Sequence, residues 1–180
     1  MGAQKEVRDR GEAMQKETGN ALEILRGAMQ LEREGRDFYL KAAEATRDEK
    51  ARETFTILAD DEEKHYNLVK RQHDALSMDN RWIDLPEVRR VRIDLDRPLF
   101  PKGKEALERV VTPRSSDLDA LLFGLDIENR SYDLYRRAAL ETRGTPGRAM
   151  FEFLAAQERG HFDILMMRYE YLAGPVGWQA

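Results

Sequence analysis

Apolar residues recur at three- and four-residue spacing in four stretches of the chain, and each stretch predicts an amphipathic helix. The first begins after Asn20, with Glu23 three residues on in the manner of a capping box, and runs to about Thr46. Leu22, Leu25, Met29, Tyr39 and Ala43 form its apolar side. The second follows Asp48, a good N-cap, and runs to about Leu76 with Phe55, Leu58, Ala59, Tyr66 and Val69 inward. Ser116 is placed to cap a third, carrying Leu118, Leu121, Leu122, Leu125, Tyr132, Tyr135 and Ala139. Thr145-Pro146 opens a fourth, which ends before Gly174-Pro175 and turns Phe151, Leu154, Ala155, Phe162, Leu165 and Tyr169 inward. Helices of roughly 26 residues are about 40 Å long. Four of the six prolines fall between residues 79 and 115, where helical periodicity is lost, so that stretch reads as a long connection. Two helical hairpins joined by a long crossover describe an all-α four-helix bundle.

The two hairpins are copies. Residues 32–65 superpose on 128–161 without a gap at an offset of 96, and 13 of the 34 pairs are identical. Many identities are core residues and express only shared packing. The Glu and His identities are harder to dismiss: Glu32/Glu128, Glu62/Glu158 and His65/His161. Glu62 and His65, and likewise Glu158 and His161, stand three apart and share one helix face. Four chosen positions around two histidines would all be Glu by accident on the order of once in ten thousand, before allowing for the duplication.

These six residues interrupt apolar stripes. Glu32 lies on the stripe of Leu25, Met29 and Tyr39, and Glu128 on that of Leu121, Leu125 and Tyr135. Carboxylates facing a core need compensation, since an unpaired buried charge costs several kcal/mol. Two divalent cations balance four carboxylates and two neutral imidazoles. Such an oxygen-rich shell suits iron or manganese better than structural zinc. Arginine or lysine partners are the competing explanation for any one of these carboxylates.

Composition narrows the class. The sequence is 36% charged and 41% hydrophobic with a net charge of −4, which leaves no basic face for nucleic acid. There is no cysteine, which excludes disulfide, thiolate–zinc and iron–sulfur chemistry. Apolar runs are too short for a membrane span, and the first twenty residues lack the apolar core of a secretory signal, so a cytoplasmic protein is expected. The expected division is a polar tail at 1–19, hairpin one at 20–78, a crossover at 79–115, hairpin two at 116–173 and a tail at 174–180.

The order Glu, Glu-x-x-His, Glu, Glu-x-x-His on a duplicated hairpin resembles that of the ferritin-like di-metal carboxylate proteins. The phrases Glu32-Arg-Glu-Gly-Arg-Asp-Phe-Tyr39 and Phe55-Thr-Ile-Leu-Ala-Asp-Asp-Glu62-Glu-Lys-His65 are most similar to the rubrerythrin di-iron domain, over roughly residues 20–173. The resemblance implies a non-haem centre of two iron ions, with manganese as the other cation, that reacts with hydrogen peroxide or O2. It implies terminal Glu32 and Glu128, bridging Glu62 and Glu158, and His65 and His161 completing one metal each. Tyr39 and Tyr135, two turns after Glu32 and Glu128, would donate to ligand carboxylates and enter the site as its catalytic tyrosines; core aromatics with a polar tip are the other reading of them. Asp61 is placed to reach His161, and Gln157 to serve His65.

Two departures stand out. Rubrerythrins proper carry a Cys-ligated rubredoxin domain, and they have a further Glu where this chain has Ser131, the counterpart of Gly35. An external electron donor, or Fe²⁺ itself, is therefore required. The expected function is a di-iron oxidoreductase reducing peroxide or O2, with a ferritin-like ferroxidase and storage protein as the alternative. A homo-oligomer, a dimer, is expected, without nucleic-acid or membrane partners. A metal-free interaction bundle is the third reading.

Overall fold

The computed structural model describes residues 2–93, 95, 117–142 and 145–174, with side chains from 18 onward and, at the start of the last helix, from 146. Four helices make up the bundle: α1 (Gly2–Ala45), α2 (Glu49–Asp79), α3 (Asp117–Glu141) and α4 (Thr145–Ala173). No strand occurs among the described residues.

The helix ends follow local chemistry. Asp48 has extended backbone and its side chain accepts from the Ala51 amide, capping α2. Asn80, in the left-handed region at φ 52°, closes the same helix by donating its N–H to Leu76. Gly174, at φ +69°, ends α4 and donates to Glu170. Helix α1 corrects the expected start at Asn20. It runs unbroken from Gly2, and Asn20 lies in its interior. The preceding residues include no proline and are rich in good helix formers, so nothing local forces a stop. Thr18 ties this extension to the end of α2 by donating its hydroxyl to Asn80 Oδ1 at 2.7 Å. The expected cap at Ser116, the crossover beyond residue 95, and the C-terminal tail after Gly174 lie outside the described residues.

Each hairpin packs chiefly within itself, α1 on α2 and α3 on α4, and the hairpins meet through α1 against α3 and α2 against α4. The core falls into two layers. One gathers Leu25, Leu68, Val69, Tyr135, Phe151 and Leu154; the other gathers Tyr39, Phe55, Leu58, Leu121, Leu125 and Leu165. Early α1 thus shares a layer with late α3, so these two helices run antiparallel.

The described start of the crossover is a strap over the first layer. Trp82, Ile83, Val88 and Ile93 pack against it, with Leu85 and Leu95 buried. Gln72 is fully buried, and its amide donates to the Ile83 carbonyl and accepts from the Ile83 N–H, both at 3.0 Å. The Trp82 ring lies flat on Gly147, where an added Cβ would sit 2.5 Å from the ring atoms. Gly147→Ala is therefore expected to destabilise the protein by about 1–2 kcal/mol, overpacking outweighing the gain in helix propensity. Urea melts followed by tryptophan fluorescence measure this; an unchanged midpoint would show that the strap gives way freely.

Candidate metal centre

In sequence, each helix passes from one apolar layer to the other through the same kind of residue. Glu32 lies between Ala28 and Tyr39, and Glu62 and His65 between Ala59 and Leu68. Glu128 lies between Leu125 and Tyr132, and Glu158 and His161 between Ala155 and Phe162. The six form a polar sheet of atoms at mid-height of the bundle, and all are at most 5% exposed. Every ligand expected from sequence is in this group.

Distances divide the carboxylates by role. His65 Nδ1 lies 3.0 Å from Glu158, 3.5 Å from Glu62 and 3.7 Å from Glu32. His161 Nδ1 lies 3.5 Å from Glu128, 3.8 Å from Glu62 and 3.9 Å from Glu158. Glu62 and Glu158 therefore stand by both histidines, whereas Glu32 attends only His65 and Glu128 only His161. The imidazoles run nearly parallel, 19° apart, with ring centroids separated by 5.4 Å. One ligand atom from each of Glu62, His65, Glu158 and His161 fits within a span of 4.8 Å, compact enough to hold a metal ion.

The tyrosines cross between the hairpins. Tyr39 on α1 donates its hydroxyl to Glu128 on α3, and Tyr135 on α3 donates to Glu32 on α1. Both contacts are buried, and they repeat the internal two-fold relation. Asp61 reaches His161 as expected, its Oδ2 3.5 Å from Nε2, and it also pairs with Lys64 at 2.6 Å. Gln157 departs from expectation: no hydrogen bond joins it to His65, although both line one cavity.

Without metal the electrostatics of this layer are unfavourable. Burial raises the Glu158 carboxyl to about 8, with the neighbouring Glu32 and Glu128 charges adding to the shift. Burial likewise lifts Glu62 well above the carboxylate range, helped by Glu158 and Glu32. Burial opposes charge on the histidines, but the carboxylates prevail. Asp61 and Glu128 take His161 to about 10, and Glu158 chiefly holds His65 well above its ordinary value. Glu32 is lowered despite burial, because the neighbouring Glu62, His65 and Tyr135 groups favour its charged form. Asp61 is lowered by His161 and Lys64.

Hydrogen bonding leaves the layer unfinished. Nine buried side-chain atoms among the described residues lack a partner, and eight belong to these six residues: Glu32 Oε2, Glu62 Oε1, Glu128 Oε2, both Glu158 oxygens, His65 Nδ1 and both His161 nitrogens. Native interiors rarely tolerate even one such atom. Carboxylate oxygens and imidazole nitrogens that converge without completing hydrogen bonds are what a cation would satisfy, so the ligand set fits a pair of divalent ions.

Comparison with known proteins agrees with this geometry. The rubrerythrin family profile matches residues 4–73 and, in a second placement, 23–169. The chain belongs to the rubrerythrin family. A solved structure, a hypothetical protein from Pyrococcus furiosus, is similar in fold with a TM-score of 0.61 and 21% identity. The match covers 84% of this chain and 89% of that one. A search of curated proteins returns no match. This rubrerythrin-family bundle has no described helix long and apolar enough to cross a membrane.

Tyr39→Phe tests the hydroxyl contacts. It strips a donor from buried Glu128, and loss of such a supporting contact is expected to weaken Mn²⁺ binding about tenfold. Titration calorimetry reads the change; unchanged affinity would reduce Tyr39 to a packing residue.

Proposed function

We propose that this protein is a di-iron oxidoreductase that reduces hydrogen peroxide or O2, drawing electrons from an external donor or from Fe²⁺. The observation that carries this reading is the six-residue layer whose unsatisfied atoms converge in an otherwise apolar interior. Two iron ions held there would supply the electrons for reductive cleavage of the oxidant and Lewis acidity toward its oxygens. Manganese accepts the same ligands.

The chain's own residues have definable tasks. Glu32 and His65 would hold one ion, Glu128 and His161 the other, and Glu62 and Glu158 would bridge, as their distances to the histidines favour. Tyr39 and Tyr135 act as positioning residues. Burial and the adjacent carboxylates push both phenols well above their ordinary range, so they keep their protons and orient Glu128 and Glu32. Asp61 stands behind the ring of His161, 3.5 Å from Nε2, where its charge would orient the imidazole once Nδ1 holds a metal. Phe55, Leu58, Phe151 and Leu154 exclude bulk water, which strengthens every charge interaction within the layer. No cysteine is available for an internal electron relay, so electrons enter from outside the chain.

Anaerobic Fe²⁺ titration followed by rapid mixing tests the reading. Two Fe²⁺ per chain, oxidised faster by peroxide than by O2, is the expected result. Faster oxidation by O2 would identify a ferroxidase with iron as substrate. Failure to bind two ions would remove the redox function altogether.

A further inference from the structure

Duplication would place equivalent groups behind the two histidines, yet the chain has broken that equivalence. Asp61 and Gln157 occupy matching positions, four residues before His65 and His161, and each lies toward the histidine of the other hairpin. His161 Nε2 meets a carboxylate, Asp61, at 3.5 Å. His65 has only the neutral amide of Gln157 on that side, without a hydrogen bond. A carboxylate behind an imidazole fixes its orientation and raises its strength as a ligand.

The surroundings differ in the same sense. A cavity of about 350 Å³ opens between α2 and α4, and its lining includes His65 but not His161. Both nitrogens of His161 are sealed from solvent, whereas of His65 only Nδ1, the atom facing the carboxylates, is, so the cavity meets His65 on the opposite side of its ring. The remaining wall is formed by residues such as Asn67, Leu68 and Phe153, with Glu87 contributed by the crossover strap. At the rim the charges cancel in pairs, Asp61 with Lys64 and Arg71 with Glu87. A neutral mouth selects neither anions nor cations.

We propose that the two cation positions are inequivalent: His65, backed by this cavity and by no carboxylate, holds its ion less tightly and releases it sooner than His161, which is sealed and has Asp61 behind it. This rests on the di-metal reading above.

The test uses the full chain loaded with Co²⁺ and then mixed with excess EDTA, with release followed by the visible Co²⁺ bands. Two phases of one ion each are expected, separated by about tenfold or more, the scale on which a supporting carboxylate alters metal affinity. Asn67→Trp, which fills the cavity, should slow the fast phase and leave the slow one unchanged; Asn67→Leu should do so to a lesser degree. Asp61→Asn, nearly isosteric, should hasten the slow phase. A single phase for both ions, or a fast phase indifferent to Asn67, overturns the inequivalence while leaving a di-metal centre intact. Binding of fewer than two Co²⁺ would defeat the di-metal reading itself, and this inference with it.

Discussion

Replacing Glu158 with glutamine is expected to stabilise the metal-free protein and to abolish its stabilisation by divalent metal. In the metal-free fold this side chain is fully buried among Glu32, Glu62 and Glu128, and its carboxyl is raised to about 8. At neutral pH the unfolded chain carries the carboxylate, and folding must protonate it or bury its charge. Glutamine is neutral in both states and nearly isosteric, so it removes that penalty. Each pKa unit corresponds to about 1.4 kcal/mol, and allowing for the lost attraction to His65 the net gain is on the order of 2 kcal/mol. For a chain of this size that is a rise in melting temperature of about 4–8 °C. Metal reverses the order. The unsubstituted protein at 100 times its dissociation constant for Mn²⁺ gains about 2.7 kcal/mol, whereas the variant lacks a charged bridge between the two ions and gains little. Thermal melts of both proteins, with and without Mn²⁺, give the four numbers needed. A variant that is destabilised without metal and still responds to it would mean that the polar layer is held by its own hydrogen bonds.

The second large effect is a crossing of pH profiles. Glu158 at about 8 and His161 at about 10 are both raised above their ordinary values of 4.5 and 6.5, and Glu62 and His65 shift in the same direction. Between these limits the folded metal-free protein binds more protons than the unfolded chain, so its stability falls as pH rises. The loss begins near pH 4.5, continues to about 10, and is on the order of 4 kcal/mol for the Glu158 shift alone. Glu32 and Asp61 are lowered instead; their contribution is present at higher pH and disappears on the acid side of the ordinary carboxylate values. The metal-free protein should therefore be most stable in mildly acidic solution. With excess Mn²⁺ the dependence inverts, because the cation competes with protons for the same atoms and binds better as pH rises. Urea denaturation from pH 5 to 9 in both states checks the crossing. A flat metal-free profile would show that these groups do not titrate with folding.

The apolar stripes, the hairpin repeat and all six proposed metal ligands could be read along the chain, and for one physical reason. A helix fixes the angular position of every residue by its number, so Glu62 and His65 must share a face with Leu58 and Val69 whatever else happens. The duplication repeated that pattern in the second hairpin, although a copied segment is not an independent reading of it. The start of α2 and the end of α4 were equally legible, since Asp48 and Gly174 act on backbone groups within a few residues. The start of α1 was not. Asn20 and Glu23 form a capping signal, but such a signal is worth only about 1 kcal/mol and does not stop a helix whose upstream residues also favour helix.

Tertiary structure alone decided the rest. That Tyr39 serves Glu128 and Tyr135 serves Glu32 depends on α1 and α3 lying antiparallel, which no local pattern specifies. Trp82, Ile83 and Glu87 become a strap, held by Gln72 and Arg71 of α2, only because the start of the crossover lies back over the bundle; its sequence has no period from which to read that path. The contrast between Asp61 behind His161 and a cavity beside His65 is likewise a property of packed surfaces. Spacing along a helix determines which groups face inward together. How two such faces approach, and where they leave room between them, is set by side-chain packing across hundreds of atoms, and that is where the two halves of the duplicated site part company.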